Sequence, residues 1–104
     1  MVQLSYDGDA ARGGATPENV PAVVDVVEGA RHLELAGFMV VPPLDSEPRE
    51  VFAQARALTD AYATQLGRGL RLSAGMSGDF REAIACGSDI VRVGTALLGP
   101  RPVR

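Results

Sequence analysis

The chain has 104 residues, room for one small domain, and its 46% hydrophobic and 22% charged content is ordinary for a globular protein. Ten basic against thirteen acidic residues leave a net charge of −3, which argues against a nucleic-acid or anionic-membrane partner, since both need a basic surface. No apolar run reaches the roughly 18 residues of a membrane span, no signal-peptide pattern opens the chain, and the single cysteine, Cys86, cannot form an internal disulfide; these features together predict a cytoplasmic protein.

Strand and helix signals alternate along the chain. Val2 to Tyr6 reads as a short strand, followed by a loop rich in Gly and Asp from Asp7 to Ala15. Thr16-Pro17-Glu18 predicts a helix start, with Thr16 as the cap, Pro in the first turn and Glu favoured by the dipole. Val20, Val23, Val24, Val27 and Ala30 then recur at helical spacing. His32 falls between elements and reads as a surface residue. Leu33 to Val41 is a second strand stopped by Pro42-Pro43. Ser46 to Leu66 is the longest helix, with an apolar stripe of Val51, Phe52, Ala55, Leu58, Tyr62 and Leu66, and it is ended by Gly67 and Gly69. Leu70 to Met76 is a third strand. Ser77 caps a short helix bearing Phe80, Ala83 and Ile84, which Gly87 stops, and Ile90 to Thr95 is a fourth strand. The order β-α-β-α-β-α-β, over residues 1–104 as one unit, implies a parallel sheet with right-handed crossovers. Four such strands are either half of a (β/α)8 barrel, which takes about 250 residues, or a compact open α/β sheet.

Two segments carry chemistry. Met76-Ser77-Gly78-Asp79 lies where a strand hands over to a helix, and unpaired N–H groups at such a turn attract anions. Ser77 either caps its own helix or donates its hydroxyl to an anion, and Gly78 admits close approach to the backbone. Arg92 sits inside an otherwise apolar strand, Ile90-Val91-Arg92-Val93, and a buried guanidinium is costly unless partnered. Alternation places Arg92 and Gly94 on one face. There, Arg92 either points at a ligand in a barrel interior or pairs with a carboxylate such as Asp7. Gly94 and Thr95 open the following turn. Two adjacent anion-ready turns at the ends of the last two strands converge on one phosphate better than either alone. Cys86, late in a helix, reads as a small packing residue. Asp7, Asp9 and Asp79 have no ligand-like spacing, so no metal site is predicted.

The segments LSAGMS, DFREAIACG and VRVGTALLG are similar to the C-terminal signature of the pyridoxal-phosphate homeostasis proteins, a family related to the barrel domain of alanine racemase. VQLSYDGDAARGG resembles the family's fifth-strand region and LELAGFMVVPP its sixth. The resemblance implies that the chain is the C-terminal half, strands five to eight, of a TIM-type (β/α)8 barrel that binds pyridoxal 5'-phosphate (PLP). It implies that Ser77, Gly94 and Thr95 hold the PLP phosphate, that Arg92 faces the pyridine nitrogen and keeps it unprotonated, and that Met76 and Met39 line the cofactor's surroundings. The family's PLP-tethering lysine belongs to the N-terminal half, and this chain contains no lysine. The expected function is therefore the phosphate-cup half of a non-catalytic PLP carrier. The alternatives are a racemase-like enzyme fragment, for which Tyr6 is the thin candidate base, and a half-barrel module that self-associates or pairs with a missing half. Half a barrel exposes sheet edges and several hundred Å² of apolar surface, at about 25 cal/mol per Å², which favours association.

Overall fold

The chain runs β1 (Val2–Leu4), α1 (Val20–Gly29), β2 (Gly37–Val40), α2 (Pro48–Leu66), β3 (Arg71–Ala74) and α3 (Phe80–Ala85). A computed structural model describes residues 1–6, 13–43 and 46–94 of it. The three strands form one parallel sheet in the order β1-β2-β3. Its register stacks Val2, Phe38 and Leu72, then Gln3, Met39 and Ser73, then Leu4, Val40 and Ala74. With strands in sequential order, right-handed crossovers carry α1 and α2 over the same face.

Burial follows that geometry. Val2, Leu4, Phe38, Val40, Leu72 and Ala74 alternate along the strands and are buried, as side chains of one face must be. They form one cluster with Val20 and Val24 of α1 and Val51, Phe52 and Ala55 of α2. Phe38 and Phe52 have no exposed surface, and each contributes about 1.5–3 kcal/mol of burial. The Tyr62 ring tilts against Phe38 at 5.5 Å between centroids. Thr59, which the apolar stripe does not include, is also buried; its hydroxyl donates to the Ala55 carbonyl at 2.7 Å and so needs no outside partner.

Three boundaries differ from the sequence expectations. Thr16 is not the α1 cap: its carbonyl accepts from Asn19 and Val20 N–H, closing a turn, and Asn19 takes the cap position. Pro21 falls in the first turn of α1, where its missing N–H costs nothing. The second strand is shorter than Leu33 to Val41, because Leu33 is exposed and ladder pairing begins only at Gly37. α2 starts at Pro48, with the Glu47 side chain accepting from the Arg49 N–H; it ends at Gly67, whose φ of 68° is left-handed.

A fourth correction concerns the expected strand Ile90 to Thr95. Among the described residues it is reduced to a single parallel bridge between Ile90 and Ser73. A regular parallel strand would meet the outer edge of β3 with backbone groups alone. Here side chains stand in for part of the ladder: the Leu72 N–H donates to Asp89 Oδ2 at 2.9 Å, and the Ser88 hydroxyl donates to the Ala74 carbonyl at 2.7 Å. Thr95 lies outside the described residues.

Candidate functional site

The sheet's second face and the C-terminal ends of its strands bring several of the anticipated residues together. Gln3, Met39 and Ser73 occupy one row across the strands on the face opposite the Phe38 and Leu72 rows. Ile90 extends that row through its bridge to Ser73. Met39 is half-buried there.

Arg92 spans two strand ends. Its backbone N–H donates to the Gly75 carbonyl at 2.8 Å, just past β3, and its Nη2 donates to the Val40 carbonyl at 3.0 Å, at the end of β2. Nε is buried without a hydrogen-bond partner among the described residues. An unmet donor of this kind costs about 1–3 kcal/mol, which an incoming acceptor would recover. Asp7, the carboxylate considered as its structural partner, lies outside the described residues, as does Asp9.

Gly75 makes this meeting possible. Its φ is +104°, and a Cβ there would stand 2.8 Å from Ala83 Cβ and 3.0 Å from Phe80 Cα. Only glycine fits both the backbone angle and the close approach of α3. The chain then turns through Met76 to Asp79. Asp79 accepts from the Met76 N–H at 2.8 Å through Oδ1, and its own N–H returns to the Met76 carbonyl. Asp79, not Ser77, takes the N-cap position of α3, but its side chain caps no helix N–H; its carboxylate closes the preceding turn onto the Met76 N–H. Ser77 is half-buried inside that turn, and Met76 is exposed. Ser77, Gly78, Phe80, Arg81 and Glu82 line a small cleft of about 320 Å³, which does not include Arg92. Cβ atoms built on Gly78 or Gly94 would meet none of the described residues within 4 Å.

Behind the Arg92 segment lies an ionic network. Arg56 of α2 donates through Nη1 to Asp89 Oδ2 at 3.0 Å and to the Gly87 carbonyl at 2.9 Å, and its other nitrogens hold Asp60. The Leu72 N–H, helped by Arg56, holds the Asp89 carboxyl below its usual range despite partial desolvation. Tyr6 is shifted the other way: burial raises its pKa, so its phenol resists ionisation.

Residues 1–102 match the family described as alanine racemase, N-terminal domain. The chain belongs to that family. Curated relatives of this alanine racemase N-terminal domain chain include the pyridoxal phosphate homeostasis proteins of Corynebacterium glutamicum, 46% identical over 103 residues, and Mycobacterium tuberculosis, 44% identical over 106. Those alignments cover 99% of this chain but 47% and 41% of the relatives, so the chain spans a little under half their length. Among solved structures, PipY of Synechococcus elongatus, determined with PLP bound, matches with a TM-score of 0.79 at 32% identity, over 94% of this chain and 47% of PipY. A protein of Bifidobacterium adolescentis matches with a TM-score of 0.82 at 28% identity, over 94% and 42%.

The sequence reading missed Gly75, Ser88, Asp89 and Arg56. Gly75 carried a signal, since a glycine inside a strand pattern marks a bulge or a close approach. Ser88 and Asp89 looked like ordinary loop residues after Gly87, and their partners are backbone groups of β3 that no local pattern reveals. Two other residues fall in quiet places: His32 is exposed in a turn, and Cys86 packs half-buried beside the core. Among the described residues no group of three metal-ligating side chains assembles, and no helix is long and apolar enough to cross a membrane.

Proposed function

We propose that this chain, as a single unit over residues 1–104, is the phosphate-end half of a PLP homeostasis protein: strands five to eight of the barrel, binding PLP without catalysing a reaction on it. The observation that carries this reading is Arg92. Its backbone N–H holds the end of β3 and its guanidinium the end of β2, while Nε has no hydrogen-bond partner among the described residues, beside the turn that holds Met76 and Ser77. Ligand sites of barrels lie at this C-terminal end of the strands. The open space over Gly78 and Gly94 fits the same reading, since none of the described residues comes within 4 Å of a Cβ built there.

In this reading Ser77, Gly94 and Thr95 bind the phosphate, Arg92 addresses the ring, and Met76 and Met39 line the approach. Bound PLP supplies an electron-withdrawing ring and an aldehyde. An arginine at the ring nitrogen would disfavour protonation there and restrain that electron demand, which suits a carrier. The chain holds no lysine, so PLP would be held here by hydrogen bonds and charge. The racemase-like alternative is not favoured by Tyr6, where burial disfavours the phenolate that would have to act as base.

Calorimetric titration with PLP tests the proposal, repeated in excess inorganic phosphate and with Arg92→Ala. Binding that phosphate competes away and Arg92→Ala weakens is the expected result. Borohydride reduction followed by intact mass should give no internal adduct. A folded chain that ignores PLP, or binds it equally well without Arg92, refutes the reading.

A second reading, self-association or pairing with a complementary half, is favoured by a different place. A groove of about 620 Å³ opens beside β1 and α1, lined largely by apolar residues including Met1, Val2, Ala22, Val23 and Val27. Apolar surface at a sheet edge invites a partner. Light scattering should show mass rising with concentration; one monomer mass across the range counts against it.

A further inference from the structure

We propose that Ser88 and Asp89, held by Arg56, form the positioning element that sets where Arg92 sits. The proposal rests on the reading of Arg92 as a PLP contact, and it follows from the register of the last segment along β3.

In a parallel pair, ladder bonds advance by two residues on each strand. Ile90 begins such a ladder: its N–H donates to the Leu72 carbonyl at 3.1 Å, and its carbonyl accepts from the Ala74 N–H at 2.9 Å. The next regular bond would run from the Arg92 N–H to the Ala74 carbonyl. It is absent. The Ser88 hydroxyl lies nearest that carbonyl at 2.7 Å, with the Ile90 carbonyl at 2.9 Å as its other close acceptor, and the Arg92 N–H goes instead to the Gly75 carbonyl, one residue further on. The positive φ of Gly75 turns its carbonyl to receive it. At the other end of the bridge a regular ladder would offer the Ser88 carbonyl to the Leu72 N–H. Asp89 Oδ2 takes that donor instead.

Two side chains thus replace the two ladder bonds that flank Ile90, and the outcome is a one-residue shift of Arg92 toward the strand ends. Arg56 fixes the pair from behind, through Asp89 Oδ2 and the Gly87 carbonyl, and is itself tethered to Asp60. The line of contacts therefore runs from α2 through the 87–89 turn to Arg92, and from there to Val40. Without the Ser88 hydroxyl, the Ala74 carbonyl is freed, and the Arg92 N–H is expected to fall back to it. That move withdraws the guanidinium from Val40 by about one strand rise, ~3.3 Å.

The test compares the full chain with Ser88→Ala, Ser88→Thr, Arg56→Gln and Arg92→Ala, by PLP titration and by NMR contacts between the Arg92 side chain and Val40. Ser88→Ala is expected to lose the Arg92–Val40 contact and to weaken PLP about tenfold, equivalent to 1.4 kcal/mol. The double variant with Arg92→Ala should be no weaker than Arg92→Ala alone, the sign of two residues acting as one unit. Ser88→Thr, which keeps the hydroxyl, should restore the contact, and Arg56→Gln should loosen it in the same direction. An intact Arg92–Val40 contact in Ser88→Ala overturns the proposal, as do Ser88→Ala and Arg92→Ala losses that multiply. If the unaltered chain binds no PLP, the functional reading fails separately, and the NMR contact alone decides the positioning. If Ser88→Ala does not fold, Arg56→Gln decides: a retained contact there overturns the proposal.

Discussion

Gly75→Ala tests the geometry on which the site depends. The substitution adds one methyl at a φ of +104°, aimed at Ala83 Cβ 2.8 Å away, Phe80 Cα at 3.0 Å and Val91 Cγ1 at 3.3 Å. The left-handed backbone costs an L-residue about 1–2 kcal/mol. Forcing a methyl into packed neighbours costs about 1–3 kcal/mol more, and two of these neighbours belong to α3, whose position would have to yield. The sum, about 2–5 kcal/mol, is a large part of the ~5–15 kcal/mol that holds a domain together. With a urea dependence of about 1–3 kcal/mol per molar, the unfolding midpoint should fall by about 1 M or more. Gly78→Ala and Gly94→Ala are the controls. Their added methyls meet none of the described residues within 4 Å, so stability should stay within about 0.5 kcal/mol of the parent. A Gly75→Ala midpoint as high as those of the two controls would refute the close approach of α3 to the end of β3.

Gly37→Ala should be harsher still, because the new methyl would stand 1.8 Å from the Arg71 carbonyl oxygen, inside the β2–β3 ladder; circular dichroism should show no cooperative thermal transition. Phe52→Ala empties a fully buried site and should cost about 3–5 kcal/mol by chemical denaturation. Asp89 makes the fold sensitive to acid. Its carboxyl is depressed in the folded chain, first by the Leu72 N–H and then by Arg56, so the unfolded chain binds the proton more readily. Its stabilisation is present above the unfolded pKa of about 3.9, and is lost as pH falls through the lower folded value. Asp89→Asn should flatten that part of the stability profile; an unchanged acid limb would show that the carboxylate contributes nothing.

Periodicity made the layout legible. The valine spacing of α1 and the stripe of α2 depend on which residues share a face, and that is a local property. Arg92 was legible for the same reason, as a charge inside an apolar run. Element ends were less so, because they are decided by partners distant in sequence. The second strand begins at Gly37 because Arg71 lies against it, and Leu33 has no such neighbour. The fourth strand illustrates the limit. Ile90 to Val93 has a strand's pattern, yet Ser88 and Asp89 occupy part of the β3 edge that it would use. A sequence window shows the propensity of a segment but not the competition for its hydrogen-bonding partners. The cap of α3 failed likewise: Ser77 and Asp79 are both good cap residues, and Asp79 takes the position with its carboxylate turned back to accept from the Met76 N–H rather than from a helix N–H.

The proposed site also sets a bound on affinity. A hydrogen bond to a charged group is worth about 1.5–3 kcal/mol. Three contacts from the Arg92 guanidinium and the two turns therefore supply about 5–9 kcal/mol. Association costs about 4–15 kcal/mol before any net binding appears. The balance leaves little, and a millimolar constant already requires about 4 kcal/mol net. The net charge of −3 adds no attraction for a phosphate. PLP binding by this chain alone should therefore be no tighter than about 0.2 mM, and sensitive to salt because its contacts are charge-assisted. A micromolar constant by titration, unchanged between low and high salt, would mean that apolar contacts to the ring carry the binding. Met39 and Met76 would then be the residues to replace first.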